Sequence, residues 1–111
     1  MKRDYKLYLN DINESITFIE EYLRNISEED FKKDRKLQDA VIRRLEIIGE
    51  ASRNIPRSLK EKNKHISWFE IAQFRDIISH SYFELSLNRV WNVVKKRLPE
   101  IKEGMKKISL V

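Results

Sequence analysis

The sequence predicts an all-α protein, an up-and-down bundle of four to five helices. Only two glycines and two prolines interrupt the 111 residues. Apolar residues recur every three or four positions rather than alternating, which is typical of amphipathic helices and not of strands. Hydrophobic residues make up 41% of the chain, enough for a modest folded core at this length. No repeat or linker is visible, so we expect one domain over residues 1–111.

The first long helix is predicted from Tyr5 to Ile26, because its apolar side chains keep to one face for about six turns. The members of that stripe are Tyr5, Tyr8, Leu9, Ile12, Ile16, Ile19, Tyr22, Leu23 and Ile26. Ser27 then predicts the start of a short second helix. Its hydroxyl can accept free backbone N–H groups, and the acidic residues 28–30 favour the positive end of the helix dipole.

A second long helix is predicted from about Arg35 to Asn54, with Asp34 as its N-cap. Gly49 lies inside it, where glycine costs about 1 kcal/mol relative to alanine unless another backbone approaches closely. We therefore expect a tight helix contact at Gly49. Pro56 ends the helix, and the basic stretch that follows predicts a short exposed helix or a loop.

The remaining helices are predicted from capping signals and from proline. Residues 67–70, Ser-Trp-Phe-Glu, match the reciprocal capping box, a hydroxyl and a carboxylate three residues apart. They predict a helix that ends near His80. Ser86 can cap the last apolar stripe, over residues 87–108. Pro99 lies in that stripe and either kinks the helix or begins a new one in its first turn.

Composition excludes several classes of protein. The chain has 23 Lys+Arg and 18 Asp+Glu, a formal charge of +5 that is compatible with a polyanionic partner. It has no cysteine, which excludes disulfides, thiolate zinc sites and thiol nucleophiles. No segment is apolar enough to span a bilayer, and the first residues do not form a secretory signal. We therefore expect a cytoplasmic protein with no membrane contact, no metal and no cofactor.

Candidates for a neutral-pH acid or base are limited to two histidines. His65 lies in a Lys-rich segment without a nearby carboxylate on its helical face, and is interpreted as a surface or loop residue. His80 follows Arg75 by five positions. Residues four apart stack on a helix, which places Asp76 one turn before His80 and Arg75 beside Ser79. Asp76 can thus orient the imidazole and raise its pKa, while the guanidinium offers fixed donors to a phosphate.

These residue types match the needs of RNA cleavage without a metal. The reaction requires an acceptor for the 2′-hydroxyl proton, a donor for the leaving 5′-oxygen and a cation on the phosphoryl oxygens. Tyr82 adds a phenolic oxygen where the helix is ending. A structural interpretation fits the same residues, since His80 can stabilise a helix C-terminus and pair with Asp76 without any substrate. The spacing alone leaves both interpretations open.

The segment from Arg75 to Phe83 resembles the HepT-like toxins of the HEPN superfamily. The resemblance extends to Gln38-Asp39-Ala40-Val41, Ile48-Gly49-Glu50-Ala51, Ile66-Ser67-Trp68, Val90-Trp91 and Leu98-Pro99. It implies an HEPN-like helical homodimer and a metal-independent endoribonuclease. In such a toxin the Arg-x4-His motif of each subunit, here Arg75 and His80, meets its symmetry mate at the dimer interface. A two-fold axis supplies a reason, because one Arg and one His cannot provide an acid, a base and charge neutralisation together.

The resemblance also implies a partner, a minimal nucleotidyltransferase antitoxin. Such antitoxins neutralise the toxin and can transfer AMP to the tyrosine of the motif, here Tyr82. An AMP group there would place negative charge beside the arginines that hold RNA phosphate. The residue after the motif arginine is often asparagine in this superfamily, whereas here it is Asp76. We expect this departure to affect the cleavage rate and not the fold, because an acid repels phosphate unless it pairs with His80.

Three further features carry open alternatives. Glu50 is interpreted either as a buried partner of Arg75 or as a surface acid, because an unpaired buried charge is costly. A basic set either follows an RNA backbone or forms a solvated helix face; it consists of Lys95, Lys96, Arg97, Lys102, Lys106 and Lys107. Four aromatic residues on apolar stripes are predicted to pack in the core rather than stack on bases: Tyr22, Trp68, Phe69 and Trp91.

Two other functions compete with the toxin-type ribonuclease. The first is a non-catalytic helical module that binds and regulates a nucleotidyltransferase, using the same motif to hold a nucleotide or the interface. The second is a structural dimerisation bundle, in which substitution of Arg75 or His80 alters stability only. Cleavage of RNA in EDTA, and its loss in His80→Ala, separates the ribonuclease from both.

Overall fold

The computed structural model describes residues 4–74 and 87–109. Over these ranges the chain is α-helical and contains no strand, which confirms the predicted all-α class. The helices are α1 (Tyr5–Tyr22), α2 (Glu28–Lys33), α3 (Arg35–Arg53), α4 (Arg57–Lys62), α5 (Trp68–Ala72), α6 (Leu87–Asn92) and α7 (Leu98–Lys106). A π-helical turn, Val93–Arg97, joins α6 to α7 and makes one long segment of the three.

The first three helices begin at side chains that satisfy free backbone donors. Asp4 accepts a hydrogen bond from the Lys6 N–H at 2.9 Å, and Ser27 accepts one from the Asp30 N–H at 3.1 Å. Asp34 does the same for the Leu37 N–H at 3.0 Å. The caps predicted at Ser27 and Asp34 are therefore confirmed.

α1 ends four residues before the predicted end at Ile26. Leu23 is its C-cap, and Asn25 has a φ of 60°, a left-handed conformation that asparagine tolerates better than most residues. The Ile26 N–H then donates to the Leu23 carbonyl at 3.0 Å, which closes a turn. Ile26 still packs against the core, but it does so from this turn. Its apolar spacing therefore matches that of α1 although the helix ends before it.

α1 and α3 form the main helix pair, and α7 also packs against α1. The side chains at the centre of the core are completely buried, and each contributes about 1.5–3 kcal/mol relative to exposure. They are Ile12, Ile19, Phe31, Val41, Ile48 and Ile71. An ion pair between Lys102 on α7 and Glu20 on α1, at 2.9 Å, spans the second contact.

Pro99 lies in the first turn of α7, directly after the π-helical turn. A proline ring collides with the carbonyl four residues earlier and has no N–H to donate. Here the Leu98 N–H donates to the Val93 carbonyl, five residues back, so the turn before the proline is widened. The long segment therefore accommodates Pro99 by a local π turn.

The predicted capping box at Ser67 is wrong. Ser67 precedes α5, but its side chain accepts no backbone hydrogen bond. Its ψ of 72° differs from the 162° of Ser27, which holds its hydroxyl over the first turn of α2. α5 ends at Ala72, and the predicted end near His80 and the cap at Ser86 lie outside the described residues.

The basic stretch after Pro56 forms the predicted short helix, α4, whose Leu59 is buried. Gly49 is buried on α3, and the tight contact expected there stays a prediction. A close approach does occur at Gly104 on α7. A Cβ added there would lie 3.0 Å from Ile66 Cγ1, so this glycine lets α7 approach the loop before α5.

Candidate functional site

The predicted catalytic residues belong to one stretch of chain between α5 and α6. Arg75, Asp76, Ser79, His80 and Tyr82 all lie in residues 75–86, outside the described residues. The chain enters this stretch from Phe74, which is 3% exposed, and α6 follows it with Val90 at 1%. The two ends of the candidate segment are thus fixed by buried side chains, while its internal geometry stays a prediction.

Glu50, the supporting residue proposed on α3, is exposed. This exposure favours the surface alternative over the buried one. Its carbonyl accepts a hydrogen bond from Asn54 Nδ2 at 2.9 Å. A contact with Arg75 lies outside the described residues.

The helix that leads into the candidate segment is held by the loop before it. Asn63 at the end of α4 is completely buried. Its Nδ2 donates to the carbonyls of Leu59 and Ser109, both at 2.9 Å, and its Oδ1 accepts the Ser109 N–H at 2.7 Å. The Asn63 carbonyl accepts Trp68 Nε1 at 3.1 Å. One asparagine therefore connects α4, the start of α5 and the segment that follows α7.

His65 lies in the same loop and has a structural contact. Its Nε2 is 3.0 Å from the Gly104 carbonyl, a distance at which the ring nitrogen donates its proton. The residue is exposed. The interpretation of His65 as a surface or loop residue is confirmed.

Acidic neighbours neutralise part of the basic set of the last helices. Arg97 lies 3.6 Å from Glu70 on α5 and 3.8 Å from Glu100. Lys102 pairs with Glu20, and Lys106 pairs with Glu103 at 3.1 Å. These contacts favour the solvated-face alternative for Arg97, Lys102 and Lys106. Lys95 differs, because its Nζ lies 4.8 Å from the centroid of the Trp91 ring.

Three of the four aromatic residues pack as predicted. Trp68 is 9% exposed, Trp91 packs on Phe31 with ring centroids 5.4 Å apart, and Tyr22 stacks on Phe18 at 6.1 Å. Phe69 is 75% exposed, so its predicted burial is wrong.

The physical reason for the exposure of Phe69 is its position around the helix. Trp68 and Ile71, three positions apart, form the buried face of α5. Phe69 lies about 100° around the helix from Trp68 and therefore faces away from the core.

Burial lowers the pKa of Lys60, whose Nζ lies 6.0 Å from the centroid of the Trp68 ring.

Within residues 4–74 and 87–109, no group of three or more His, Cys, Asp or Glu side chains is placed to hold a metal ion. None of the helices in these ranges is both long and apolar enough to cross a membrane.

No pattern in the sequence predicted the structural role of Asn63. It lies between lysines in a charged stretch. Its most important partner, Ser109, is 46 positions away. No local pattern carries that pairing.

The chain was compared with known proteins. The family model "Ribonuclease HepT-like" matches residues 12–108. A protein of Methanocaldococcus jannaschii described as "Gamma-glutamylcyclotransferase and putative RNase" is 52% identical over 108 residues, 97% of this chain, and the chain spans 49% of that relative's length. A "Probable ribonuclease HepT" of Thermococcus cleftensis is 48% identical over 108 residues, 97% of this chain and 98% of the relative. No solved structure matches.

The family match runs from within α1 to the residues after α7 and includes the whole of the predicted Arg75–His80 motif. It agrees with the resemblance drawn from the residues around that motif. The chain therefore belongs to the ribonuclease HepT-like family.

Proposed function

We propose that the protein is a toxin-type endoribonuclease that cleaves RNA without a metal ion. Arg75 and His80 of two identical subunits form its composite site. The observation that carries the proposal is the family match over residues 12–108, which includes the Arg-x4-His motif. A relative named "Probable ribonuclease HepT", 48% identical along almost the whole of both chains, supports it.

The histidine inventory supports the assignment of His80. The chain has two histidines. The Nε2 of His65 is engaged with the Gly104 carbonyl at 3.0 Å and serves the packing of α7 on the loop before α5. His80 is then the histidine that remains for acid–base chemistry at neutral pH.

In the proposed reaction one His80 accepts the proton of the ribose 2′-hydroxyl. The 2′-oxygen attacks the adjacent phosphorus and the bond from phosphorus to the 5′-oxygen breaks. The second His80, protonated, donates its proton to the leaving 5′-oxygen. The products are a 2′,3′-cyclic phosphate and a 5′-hydroxyl. The two Arg75 guanidinium groups bind the phosphoryl oxygens, where negative charge develops in the transition state.

Asp76 and Ser79 support this pair. Asp76 orients the His80 imidazole from one helical turn away and favours its protonated form. Ser79 lies beside Arg75 by the same spacing. Glu50, which is exposed on α3, is assigned no role in the reaction.

The regulatory partner in this proposal is a minimal nucleotidyltransferase antitoxin. Transfer of AMP to the Tyr82 phenolic oxygen adds a bulky, negative group next to the phosphate-binding arginines. It blocks RNA by occupation and by charge. Incubation with such an enzyme and ATP should raise the mass of the chain by one AMP, and Tyr82→Phe should prevent this.

Activity in EDTA tests the core of the proposal. Purified protein should cut single-stranded RNA in excess EDTA and leave cyclic-phosphate ends. His80→Ala should lower the rate by at least about 100-fold, the usual contribution of a positioned acid or base, and Arg75→Ala should have an effect of similar size. His65→Gln is the matched control, because it removes the other histidine and keeps an amide donor for the Gly104 carbonyl; its rate should equal that of the wild type.

Cleavage that survives His80→Ala would remove the mechanism. Copurification with a nucleotidyltransferase, together with no cleavage of RNA with or without metal, would instead support the non-catalytic regulatory module.

A mixing experiment tests the composite site. Excess His80→Ala subunits should exchange into the wild-type dimer and lower its activity below simple dilution, because a mixed dimer has a single His80 and lacks either its acid or its base. Activity that follows dilution alone would mean that each subunit carries an independent site.

A further inference from the structure

A half-open cleft of about 320 Å³ lies between the end of α1 and the start of α7. We name it the α1–α7 cleft. Its floor is apolar and includes Leu23, Val94 and Leu98. The floor comes from two interruptions of regular helix: α1 ends at Tyr22, and the π-helical turn displaces the backbone just before Pro99.

The rim of this cleft carries more positive than negative charge. Arg24, Lys95 and Lys102 line it, with Glu20 as its acid. Glu20 is engaged by Lys102 at 2.9 Å. Among the residues that the structure describes, no carboxylate lies within ion-pair distance of Arg24 or Lys95. Two cations from different elements are therefore available to an anionic ligand.

We propose that the α1–α7 cleft is an accessory RNA subsite that takes one nucleotide of a single-stranded RNA. This inference rests on the proposed ribonuclease function. Arg24 and Lys95 bind the phosphates and the apolar floor receives the flat face of an unstacked base. A cleft of this volume is at the lower end of small-ligand sites and suits one nucleotide rather than a larger ligand.

The combination of floor and rim favours RNA as the occupant. Sequence-tolerant binding of single strands combines a basic groove along the backbone with surfaces that receive base faces. Bases of single-stranded RNA are available for such contacts, whereas those of a duplex are stacked. The sequence predicts that Lys95, Lys96 and Arg97 either follow an RNA backbone or form a solvated face. In this proposal Lys95 belongs to the cleft, whereas Arg97 is neutralised by Glu70 and Glu100.

RNA binding by variants of the cleft rim tests the proposal. The measurement is fluorescence anisotropy of a labelled 12-nucleotide single-stranded RNA, with every variant in a His80→Ala background so that cleavage does not interfere. Arg24→Ala and Lys95→Ala should each weaken binding severalfold. Each should also reduce the slope of log affinity against log salt by about 0.7, the value for one phosphate contact on a single strand.

Arg57→Ala is the matched control. Arg57 is an exposed arginine that pairs with Glu61 at 3.3 Å and does not line the cleft. Its removal should leave affinity and salt slope as in the His80→Ala parent. If Arg24→Ala lowers the thermal midpoint, Arg24→Lys restores the charge and should restore RNA binding.

A second arm separates a nucleotide site from a general anion site. Inorganic polyphosphate of the same charge as the RNA lacks bases. Val94→Thr, which places a hydroxyl in the apolar floor, should weaken RNA binding and leave polyphosphate binding unchanged, because only RNA has a base to place there. Equal losses for both ligands would overturn the nucleotide assignment.

The cleft and the ribonuclease can fail separately. If the wild type cuts RNA but both rim variants bind like Arg57→Ala, the cleft proposal is wrong and the ribonuclease stands. If the wild type does not cut RNA but the rim variants lose affinity, the cleft stands and the ribonuclease falls. A changed oligomeric mass of Arg24→Ala, measured by sedimentation, would assign the cleft to a second copy of the chain and overturn the RNA subsite.

Discussion

The part of the chain from α1 to α3 and the part from α4 onward are stabilised in different ways. In the first part, Asp4, Ser27 and Asp34 each accept a hydrogen bond from a backbone N–H two or three residues ahead. In the second part, the N-caps Pro56 and Ser67 make no side-chain cap bond. Local signals in the sequence therefore define the first three helices.

Contacts between distant residues replace the local caps in the second part. Asn63 bonds to Ser109, 46 positions away, and His65 bonds to Gly104, 39 positions away. Gly104 also admits the Ile66 side chain. These contacts hold α5, which leads into the candidate catalytic segment. The comparison teaches that the loop before α5 is fixed by contacts with the C-terminal part of the chain rather than by a local cap.

The largest expected change in stability is found by comparing two phenylalanines of the second part. Phe74 is 3% exposed and Phe69 is 75% exposed. Phe74→Ala should lower the free energy of unfolding by about 3–5 kcal/mol, because it leaves a cavity in the core. Phe69→Ala should change it by less than about 0.5 kcal/mol, since little packing is lost. Urea unfolding followed by circular dichroism at a fixed protein concentration measures both; similar losses would mean that Phe69 is covered in the native assembly.

An intermediate effect is expected at the long-range polar contact. Asn63→Ala should cost about 1–3 kcal/mol, because it leaves buried hydrogen-bonding groups without partners. Asn54→Ala is its control: Asn54 also follows a helix, but it is exposed and makes one side-chain bond, to the Glu50 carbonyl. The free energy of unfolding of that variant should change by less than about 0.5 kcal/mol. Equal losses for the two would remove the distinction between local and long-range stabilisation.

The smallest expected change in stability is found by comparing two serines that both precede a helix. Ser27→Ala removes the bond to the Asp30 N–H at 3.1 Å and should cost about 1 kcal/mol. Ser67→Ala removes no cap bond and should leave stability almost unchanged. The same urea experiment decides it, and a loss at Ser67 as large as at Ser27 would reinstate the capping box there.

Most of the helical order is predictable from the sequence, for identifiable reasons. The bounds of α3 follow from Asp34 and Pro56, because a capping side chain and a proline act on their immediate neighbours. The end of α1 is not predictable from apolar spacing, since Ile26 reaches the core from a turn. The exposure of Phe69 is not predictable from its apolar character, because Trp68 and Ile71 form the buried face of α5 and Phe69 lies off that face.

The same distinction between local and long-range signals applies to the candidate site. Arg75, His80 and Tyr82 come from spacing and from a family resemblance, and membership of that family is confirmed. The α1–α7 cleft comes from neither, because Arg24 and Lys95 are 71 positions apart in the chain and meet only when α7 packs on α1.

The sequence by itself determined the helical class, the N-caps of α2 and α3 and the motif that identifies the family. Each of these depends on side chains within a few residues of one another. The tertiary structure decided which apolar residues are covered, how Asn63 holds the end of the chain and where cations gather beside an apolar floor. Those outcomes depend on the packing of distant segments, whose energies arise only when the helices are in contact.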